Sequence, residues 1–199
     1  MTFSWLDLPA TRVDEAARML LGWRLTANGV TARLTEVEAY SGLGEDPASH
    51  AHRGVTERNR VMFGPAGRLY VYQIYGMHFC ANVVCGETGR AAAVLLRAGA
   101  VVDGIDLARA RRPAARRDSD LAAGPAKLMQ MLGLNRAAND TSLLGDGPAV
   151  LAPPDSPAGP ISAGPRVGVT SAHDVPWRFW ITGDPTVSAY RRHTPRKPA

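Results

Sequence analysis

The sequence predicts an α+β fold with a mostly antiparallel sheet. Its length of 199 residues suits a single domain. Apolar residues make up 45% of the chain and charged residues 21%, which is typical of a globular protein and argues against global disorder. Helical patterns do not alternate regularly with strand patterns, so a parallel, doubly wound sheet is disfavoured.

The individual elements follow from apolar periodicity and from turn residues. Pro125 near the start and Gly133 at the end delimit one helix, and Asn28-Gly29 is the strongest short hairpin signal. In chain order we predict a helix over 11–21 capped by Thr11, a hairpin over 23–40, a loop over 41–67, strands over 69–75, 79–84 and 92–97, a short helix with a loop over 103–120, a helix over 125–132, a loop over 145–165, and short strands over 166–169 and 178–181.

The first hairpin contains a break in its apolar pattern. A two-residue turn pairs apolar residues only, and these define a core face. The pairs are Ala27 with Val30, Leu25 with Ala32 and Trp23 with Leu34. Continued alternation places Glu36, Glu38 and Tyr40 on the same core-facing side, and such breaks are expected at functional sites. A partly buried carboxylate can serve as a general base; alternatively, the strand runs past the core and both acids are solvated.

The charge balance favours a polyanionic partner. Lys and Arg number 23 against 18 Asp and Glu, giving a net charge of +5 and a pI near 9.7. This is typical of a nucleic-acid-binding domain, although an arginine- and alanine-rich composition alone would give the same charge. Lys127 and Lys197 are the only lysines in the sequence, so chemistry through an amine has few candidates.

The sequence predicts a cytoplasmic protein. No apolar run approaches the roughly 20 residues that span a bilayer, and the N-terminus lacks a signal-peptide pattern. Two cysteines, Cys80 and Cys85, are too few for a disulfide framework. We expect one domain over residues 1–190 and a basic, mobile tail over 191–199.

The loop over 41–67 is long, and long loops in compact domains are usually functional or disordered. It contains Asp46, His50 and His52, which form a poor metal-ligand set because no cysteine pair accompanies them. We therefore predict no metal site. Cys80 lies within a predicted strand, where a packed thiol is favoured over a nucleophile.

Three tyrosines lie on or beside the strand over 69–75. Tyr70 and Tyr72 share one strand face, and aromatic residues there normally belong to the core. Tyr75 lies at the turn beside Gly76, where it has little to pack against. In a basic protein, an apolar side chain at a hairpin tip suits insertion between base pairs, so core packing and DNA insertion remain alternatives for Tyr75.

Several motifs, in order along nearly the whole chain, resemble the alkyladenine (3-methyladenine, methylpurine) DNA glycosylase family. They are Glu36-Val-Glu-Ala-Tyr40, Asp46-Pro-Ala-Ser-His50, Arg58-Asn-Arg-Val-Met-Phe63, Tyr70-Val-Tyr-Gln-Ile-Tyr-Gly-Met77, Asn82, Val94-Leu-Leu-Arg97, Gly124-Pro-Ala-Lys127 and Arg166-Val-Gly-Val169. The first and fourth motifs are the most distinctive. The loop between Tyr40 and His50 is about one residue longer than is usual in the family.

The resemblance implies a reaction and the groups that perform it. Enzymes of this family flip a damaged purine out of the duplex and hydrolyse its N-glycosidic bond. By resemblance, Glu38 is the general base that activates water, while Arg97 and the Val167 carbonyl help to hold that water.

The resemblance also implies how the base is bound. Tyr40, His50 and Tyr72 form the walls of the base pocket. Asn82 obstructs the 2-amino group of normal guanine, and Tyr75 fills the gap left in the DNA stack. The expected substrates are alkylated or deaminated purines of the 3-methyladenine, 7-methylguanine, hypoxanthine and ethenoadenine class.

The family's fold is a compact domain around a curved antiparallel sheet flanked by helices, with a hairpin that protrudes into DNA. The implied partner is double-stranded DNA that contains damaged purines. We expect a monomer in the cytoplasm, at the nucleoid of a prokaryote, with no cofactor, metal, membrane or obligate protein partner.

The lysine count favours a monofunctional mechanism. Bifunctional glycosylases form a Schiff base through an amine. Lys197 lies in the tail and Lys127 is far in sequence from the acids, so we expect water as the nucleophile and an abasic site with an intact strand as the product. A non-catalytic nucleic-acid-binding module is the alternative, but it gives Glu38 no purpose.

Overall fold

A computed structural model describes residues 3–42, 44–145 and 147–192. Its centre is one sheet in which every strand pair is antiparallel. The strands are β1 (Arg24–Ala27), β2 (Val30–Tyr40), β3 (Leu69–Ile74), β4 (His78–Val84), β5 (Ala93–Asp103), β6 (Ala149–Ala152), β7 (Ile161–Gly164) and β8 (Arg178–Ile181), and the α-helices are α1 (Val13–Leu20), α2 (Ile105–Arg111) and α3 (Pro125–Leu132). The predicted α+β class with a curved antiparallel sheet is confirmed.

The sheet order is β3-β4-β5-β2-β1-β6, and β8 joins it by pairing with β2. Strand β2 is 11 residues long and is the organising element. It pairs with β5 along one edge, while its other edge pairs first with β1 and then with β8. This branching lets the sheet curl, so that the second half of β2 lies inside the curl.

The predicted first hairpin is confirmed in its register. Ala27 pairs with Val30 and Leu25 with Ala32, around a turn in which Asn28 and Gly29 both have positive φ. Positive φ at both central residues is the geometry that matches the right-handed twist of a hairpin, and it explains why this dipeptide predicts the turn well.

The predicted orientation of the acids is wrong, because β2 and β5 are each interrupted by one unpaired residue. Leu34 pairs with Gly99 and Val37 with Leu96, but between them Thr35 and Arg97 have no partner across the ladder. These bulges reverse the alternation. Val37 and Ala39 therefore continue the hydrophobic core. Glu36 and Glu38 leave the core face and point to the opposite face, where both remain fully buried.

The two faces of the sheet thus differ in chemistry. One face carries aliphatic side chains that pack with α1 and α3 in the main core. The other carries a row of residues directly opposite one another on neighbouring strands, which is Tyr70, Asn82, Leu95, Glu38 and Arg178. The polar face belongs to the candidate site.

The structure also differs from the sequence prediction in where some elements begin and end and in the glycine-rich segments. The predicted loop over 145–165 contains β6 and β7, and the predicted strand over 166–169 is instead a turn with Gly168 at φ 71°. The first helix begins at Val13 after a short 3-10 turn, and Thr11 makes no capping hydrogen bond. Strand β5 continues to Asp103, six residues beyond the end at 97 that the sequence predicts.

In the described part of the chain, no helix combines the length and the apolar character that crossing a bilayer requires.

Candidate active site

A cavity of about 470 Å³ opens on the polar face of the sheet. This is the size range of small-molecule sites. All eight predicted site residues line it, although they come from β2, β3, β4, β5 and three connecting segments. The fold therefore brings all eight residues together around one cavity.

Glu38 lines this cavity and is fully buried. Its Oε1 accepts a hydrogen bond from the Val167 backbone N–H at 2.7 Å, and its Oε2 accepts one from the Tyr40 hydroxyl at 2.9 Å. Arg97 Nη1 is 3.3 Å from Oε2. A carboxylate can accept about four hydrogen bonds, so among the described residues Oε1 retains an unfilled acceptor position.

Val167 contacts Glu38 directly, while the role of its carbonyl in holding water stays a prediction. The backbone N–H of Val167, rather than its carbonyl, is the group that touches Glu38. The turn at Gly168 frees this N–H from sheet pairing, and the Gly168 N–H in turn donates to the Arg191 carbonyl at 3.1 Å. The segment near the C-terminus thus supports the turn that holds Glu38.

Tyr40 remains a protonated donor to Glu38. Burial raises the pKa of its phenol well above the ordinary value, and the nearby Glu38 charge raises it further. A neutral phenol donates its proton in a hydrogen bond and stabilises the ionised carboxylate.

Arg97 connects Glu38 to Glu36. Its Nε donates to Glu36 Oε1 at 2.7 Å while Nη1 approaches Glu38. Burial alone would lower the pKa of Arg97, but the two carboxylates outweigh burial and raise it, so the guanidinium stays charged. Bulges often redirect a side chain beside an active site, and the unpaired position of Arg97 in β5 fits that use.

Glu36 is enclosed by donors. It accepts hydrogen bonds from Arg97, from Arg178 Nε at 2.7 Å, and from the Ser188 N–H and hydroxyl at 2.6 and 2.9 Å. Burial would raise its pKa, yet the charges of Arg97 and Arg178 hold the pKa below the ordinary value. Glu36 does not line the cavity.

Aromatic rings form one wall of the cavity. The His50 ring packs edge-on against Tyr72 with centroids 4.6 Å apart, and His50 Nδ1 hydrogen-bonds the Tyr70 hydroxyl at 3.0 Å. Tyr70 is buried as predicted, but it borders the cavity rather than the main core. Burial lowers the pKa of His50 and the charge of Arg58 lowers it further, which favours the neutral imidazole.

The predicted loop that carries His50 is held by buried polar contacts. Asn59 is 1% exposed, and its side-chain amide donates to the carbonyls of His50 and Gly54. Its Oδ1 accepts from the Thr56 N–H. A loop with an asparagine at its centre can thus be fixed without regular secondary structure.

Two further cavity residues, Cys80 and Asn82, lie on β4. Asn82 is buried, and its amide donates to the Tyr70 carbonyl at 3.2 Å. Cys80 is also buried as predicted, and burial raises the pKa of its thiol to about 11. A thiol with this pKa is a poor nucleophile near neutral pH.

Tyr75 occupies the three-residue turn between β3 and β4. Its φ is +50° and its side chain is 88% exposed, while Met77 in the same turn is 71% exposed. Non-glycine residues rarely adopt positive φ, and large exposed apolar side chains at a turn indicate a contact surface.

The described residues contain no group of three or more His, Cys, Asp and Glu side chains arranged to hold a metal ion. Asp46, one of the three residues considered above as metal ligands, instead forms an ion pair with Arg166.

Sequence reasoning missed four residues that support this site. They are Asp46 as a partner of Arg166, Arg166 itself, Arg178 and Ser188. Their partners are 120 to 152 residues away in the chain, so no local pattern reveals them. Arg166 and Asp46 belong to motifs that resemble the glycosylase family, and this membership was the only sequence feature that could have indicated their importance.

Comparison with known proteins gives a consistent result. Residues 7–185 match the family model described as Methylpurine-DNA glycosylase. Among curated relatives, a protein of Nocardia farcinica is 55% identical over 92% of this chain and 89% of its own length. A Streptomyces avermitilis protein is 52% identical over 92% and 87%, and a Mycolicibacterium paratuberculosis protein is 50% identical over 93% and 91%. All three carry the name 3-methyladenine DNA glycosylase. The chain belongs to the methylpurine-DNA glycosylase family, a family of enzymes that hydrolyse N-glycosyl bonds.

Proposed function

We propose that this protein removes alkylated or deaminated purines from double-stranded DNA by hydrolysing the N-glycosidic bond with a water activated by Glu38. The observation that carries the proposal is the environment of Glu38. A carboxylate held by Val167, Tyr40 and Arg97 faces a cavity of about 470 Å³ and keeps one acceptor position on Oε1.

The chemistry follows from that position. Water bonds to C1′ of the nucleotide as the bond between C1′ and the purine nitrogen breaks, and the purine leaves with the bonding electrons. Glu38 takes the proton of the attacking water. Glu38 is fully buried by its neighbours but lines the cavity, so the attacking water lies between its carboxylate and the bound nucleotide.

The cavity wall supports binding of a flat base. Tyr40, His50 and Tyr72 supply aromatic faces and edges on which a purine can stack, as bases do in other proteins that receive unpaired nucleotides. A positively charged purine gains additional attraction from the tyrosine rings and from the Glu38 carboxylate. Asn82 lines the same cavity and is the proposed obstacle to the 2-amino group of guanine.

Tyr75 is proposed to occupy the gap that the flipped nucleotide leaves. Its exposed ring stands at a turn that lies beside the cavity. Flipping costs a few kcal/mol of unstacking, and an inserted ring offsets part of this cost. The net charge of +5 provides attraction to the DNA backbone.

We infer a monofunctional enzyme whose product is an abasic site in an intact strand. Among the residues that line the cavity there is no lysine. We also propose that the protein acts as a monomer on damaged double-stranded DNA, at the nucleoid in the cytoplasm.

The test is single-turnover release of free base from duplexes that each carry one lesion: 3-methyladenine, 7-methylguanine, hypoxanthine or ethenoadenine. We expect release from at least one of them by the wild type, with no strand cleavage until the abasic site is treated with alkali. A non-catalytic binding module would bind the duplexes and release no base from any of them.

A further inference from the structure

Beyond the eight predicted site residues, a buried ion pair joins Arg166 to Asp46 next to Val167. We propose that Arg166, held by Asp46, is a positioning residue that aligns the two hydrogen-bond donors of Glu38, the Val167 N–H and the Tyr40 hydroxyl. This inference rests on the proposed function, because the donors matter only if Glu38 accepts a proton from water.

The pair is buried and bidentate. Arg166 Nη1 is 2.6 Å from Asp46 Oδ2, and Nη2 is 2.8 Å from Oδ1. The side chains are 0% and 2% exposed. Two parallel bonds fix the plane of the guanidinium as well as its position.

Asp46 is itself fixed by the start of the loop that carries His50. Its Oδ1 accepts from the Ala48 N–H at 3.1 Å, and its Oδ2 accepts from the Ser41 N–H at 3.3 Å. The carboxylate therefore cannot turn without disturbing the chain on both sides of it. Asp46 gives Arg166 a rigid support.

Arg166 contacts the residue that supplies one donor of Glu38 and directly precedes the residue that supplies the other. Nη1 also donates to the Ala39 carbonyl at 2.9 Å, and the guanidinium lies 4.7 Å from the centroid of the Tyr40 ring. Arg166 thereby holds the residue before Tyr40 and one face of its ring. Its own neighbour in the chain is Val167, whose N–H binds Glu38.

Stability alone is a weak explanation for this pair. Replacing a buried ion pair with well-packed apolar residues is often neutral or stabilising. The charged pair instead fixes an orientation. The planar guanidinium donates to three acceptor oxygens, two of Asp46 and one of Ala39, and its face stacks on the Tyr40 ring. Lysine would keep the charge at this position but could not reproduce the fork.

The experiment compares Arg166→Lys with Arg33→Lys in single-turnover base release at saturating enzyme. Arg33 also lies next to a carboxylate, 2.6 Å from Asp184, and it is on β2 but does not line the cavity. Folding is checked by circular dichroism and thermal unfolding, and affinity for the lesion duplex is measured separately. We expect Arg166→Lys to slow base release about tenfold or more, since misplacement of a catalytic group by 1 Å can cost roughly a hundredfold. Arg33→Lys should stay within about twofold of the wild type.

A double variant separates positioning from general damage. If Arg166 acts through Tyr40 and Val167, Arg166→Lys combined with Tyr40→Phe should lose less rate than the product of the two single losses. Should Arg166→Lys not fold, the neutral pair Asp46→Asn with Arg166→Gln removes both buried charges and carries the same prediction.

The inference is overturned if the folded Arg166 variants release base at the wild-type rate, if Arg33→Lys is equally slow, or if the loss lies entirely in affinity. Multiplicative losses with Tyr40→Phe would also overturn it. If the wild type releases no base from any lesion duplex, the proposed function itself has failed, and that outcome is recognised before any variant is compared.

Discussion

Glu36 and Glu38 lie two residues apart on β2, point to the same face and are both fully buried, but their surroundings differ. Glu36 accepts four hydrogen bonds, two of them from arginines, and does not border the cavity. Glu38 accepts two hydrogen bonds, approaches one arginine and borders the cavity. Both acids are equally buried, so we propose that the number of filled acceptor positions, rather than burial, separates the structural acid from the reactive one.

The largest expected effect is that of Glu38→Gln on the chemical step. The amide cannot take a proton from water, so base release should fall by about 10²–10⁴-fold, the range for loss of a general base. Single-turnover release from a hypoxanthine or 7-methylguanine duplex measures this. A rate near that of the wild type would remove Glu38 from the mechanism.

The amide is not a silent replacement at this position. Its NH₂ group must face either the Val167 N–H or the Arg97 guanidinium, and both of these are donors. We therefore expect a loss of stability of about 1–3 kcal/mol, the usual cost of an unsatisfied buried polar group. Denaturant unfolding of the same sample measures it.

Glu36→Gln should act mainly on stability. Arg178 is only 4% exposed, and Glu36 is the carboxylate with which it pairs among the described residues. The substitution would therefore leave a buried guanidinium without its counter-charge. Breaking a buried ion pair in this way typically costs about 3–5 kcal/mol in the free energy of unfolding. Urea unfolding at neutral pH is the measurement, and a variant as stable as the wild type would contradict the structural role.

The same comparison predicts a pH effect on stability. The folded state holds the pKa of Glu36 below its ordinary value of 4.5, so the folded state binds fewer protons than the unfolded chain in the acid range. The stabilisation is complete above pH 4.5 and is lost as the pH falls through the lower folded value. Unfolding free energies between pH 3 and pH 6 should fall more steeply in the wild type than in Glu36→Gln. Parallel curves would contradict this assignment.

An intermediate effect is expected at the exposed end of the site. Tyr75→Ala should weaken selective binding of the lesion duplex, because the gap in the base stack is left unfilled. The control is Tyr70→Phe, which keeps a buried ring and removes only the hydroxyl that meets His50. Fluorescence of a base analogue reports flipping; equal flipping by Tyr75→Ala and the wild type would rule out insertion.

The smallest expected effect concerns the C-terminus, most of whose predicted tail lies outside the described residues. Removal of residues 192–199 retains Arg191, whose carbonyl accepts from the Gly168 N–H, so base release should persist while DNA affinity at low salt decreases. Removal of residues 188–199 also deletes Ser188, whose N–H donates to Glu36. This truncation should therefore unfold at a lower denaturant concentration. Equal behaviour of the two truncations would contradict the support from Ser188.

Local patterns predicted the first hairpin and α3 well, because a turn dipeptide and a proline–glycine pair specify them. The bulges at Thr35 and Arg97 could not be predicted, since neither residue is unusual in a strand and the shift depends on pairing between strands. Strands β6 and β7 were missed because proline and glycine surround them. Glu38 was selected by resemblance, and its distant supports needed the fold.

The most direct test of the central claim measures both acids in one assay. Single-turnover base release and urea unfolding are determined for Glu36→Gln and Glu38→Gln at a temperature where both are folded. We predict a crossover: Glu38→Gln has the lower rate and Glu36→Gln the lower stability. If Glu36→Gln is the variant with the lower rate, or if the two variants change rate and stability to the same extent, the division between a structural and a reactive acid is contradicted.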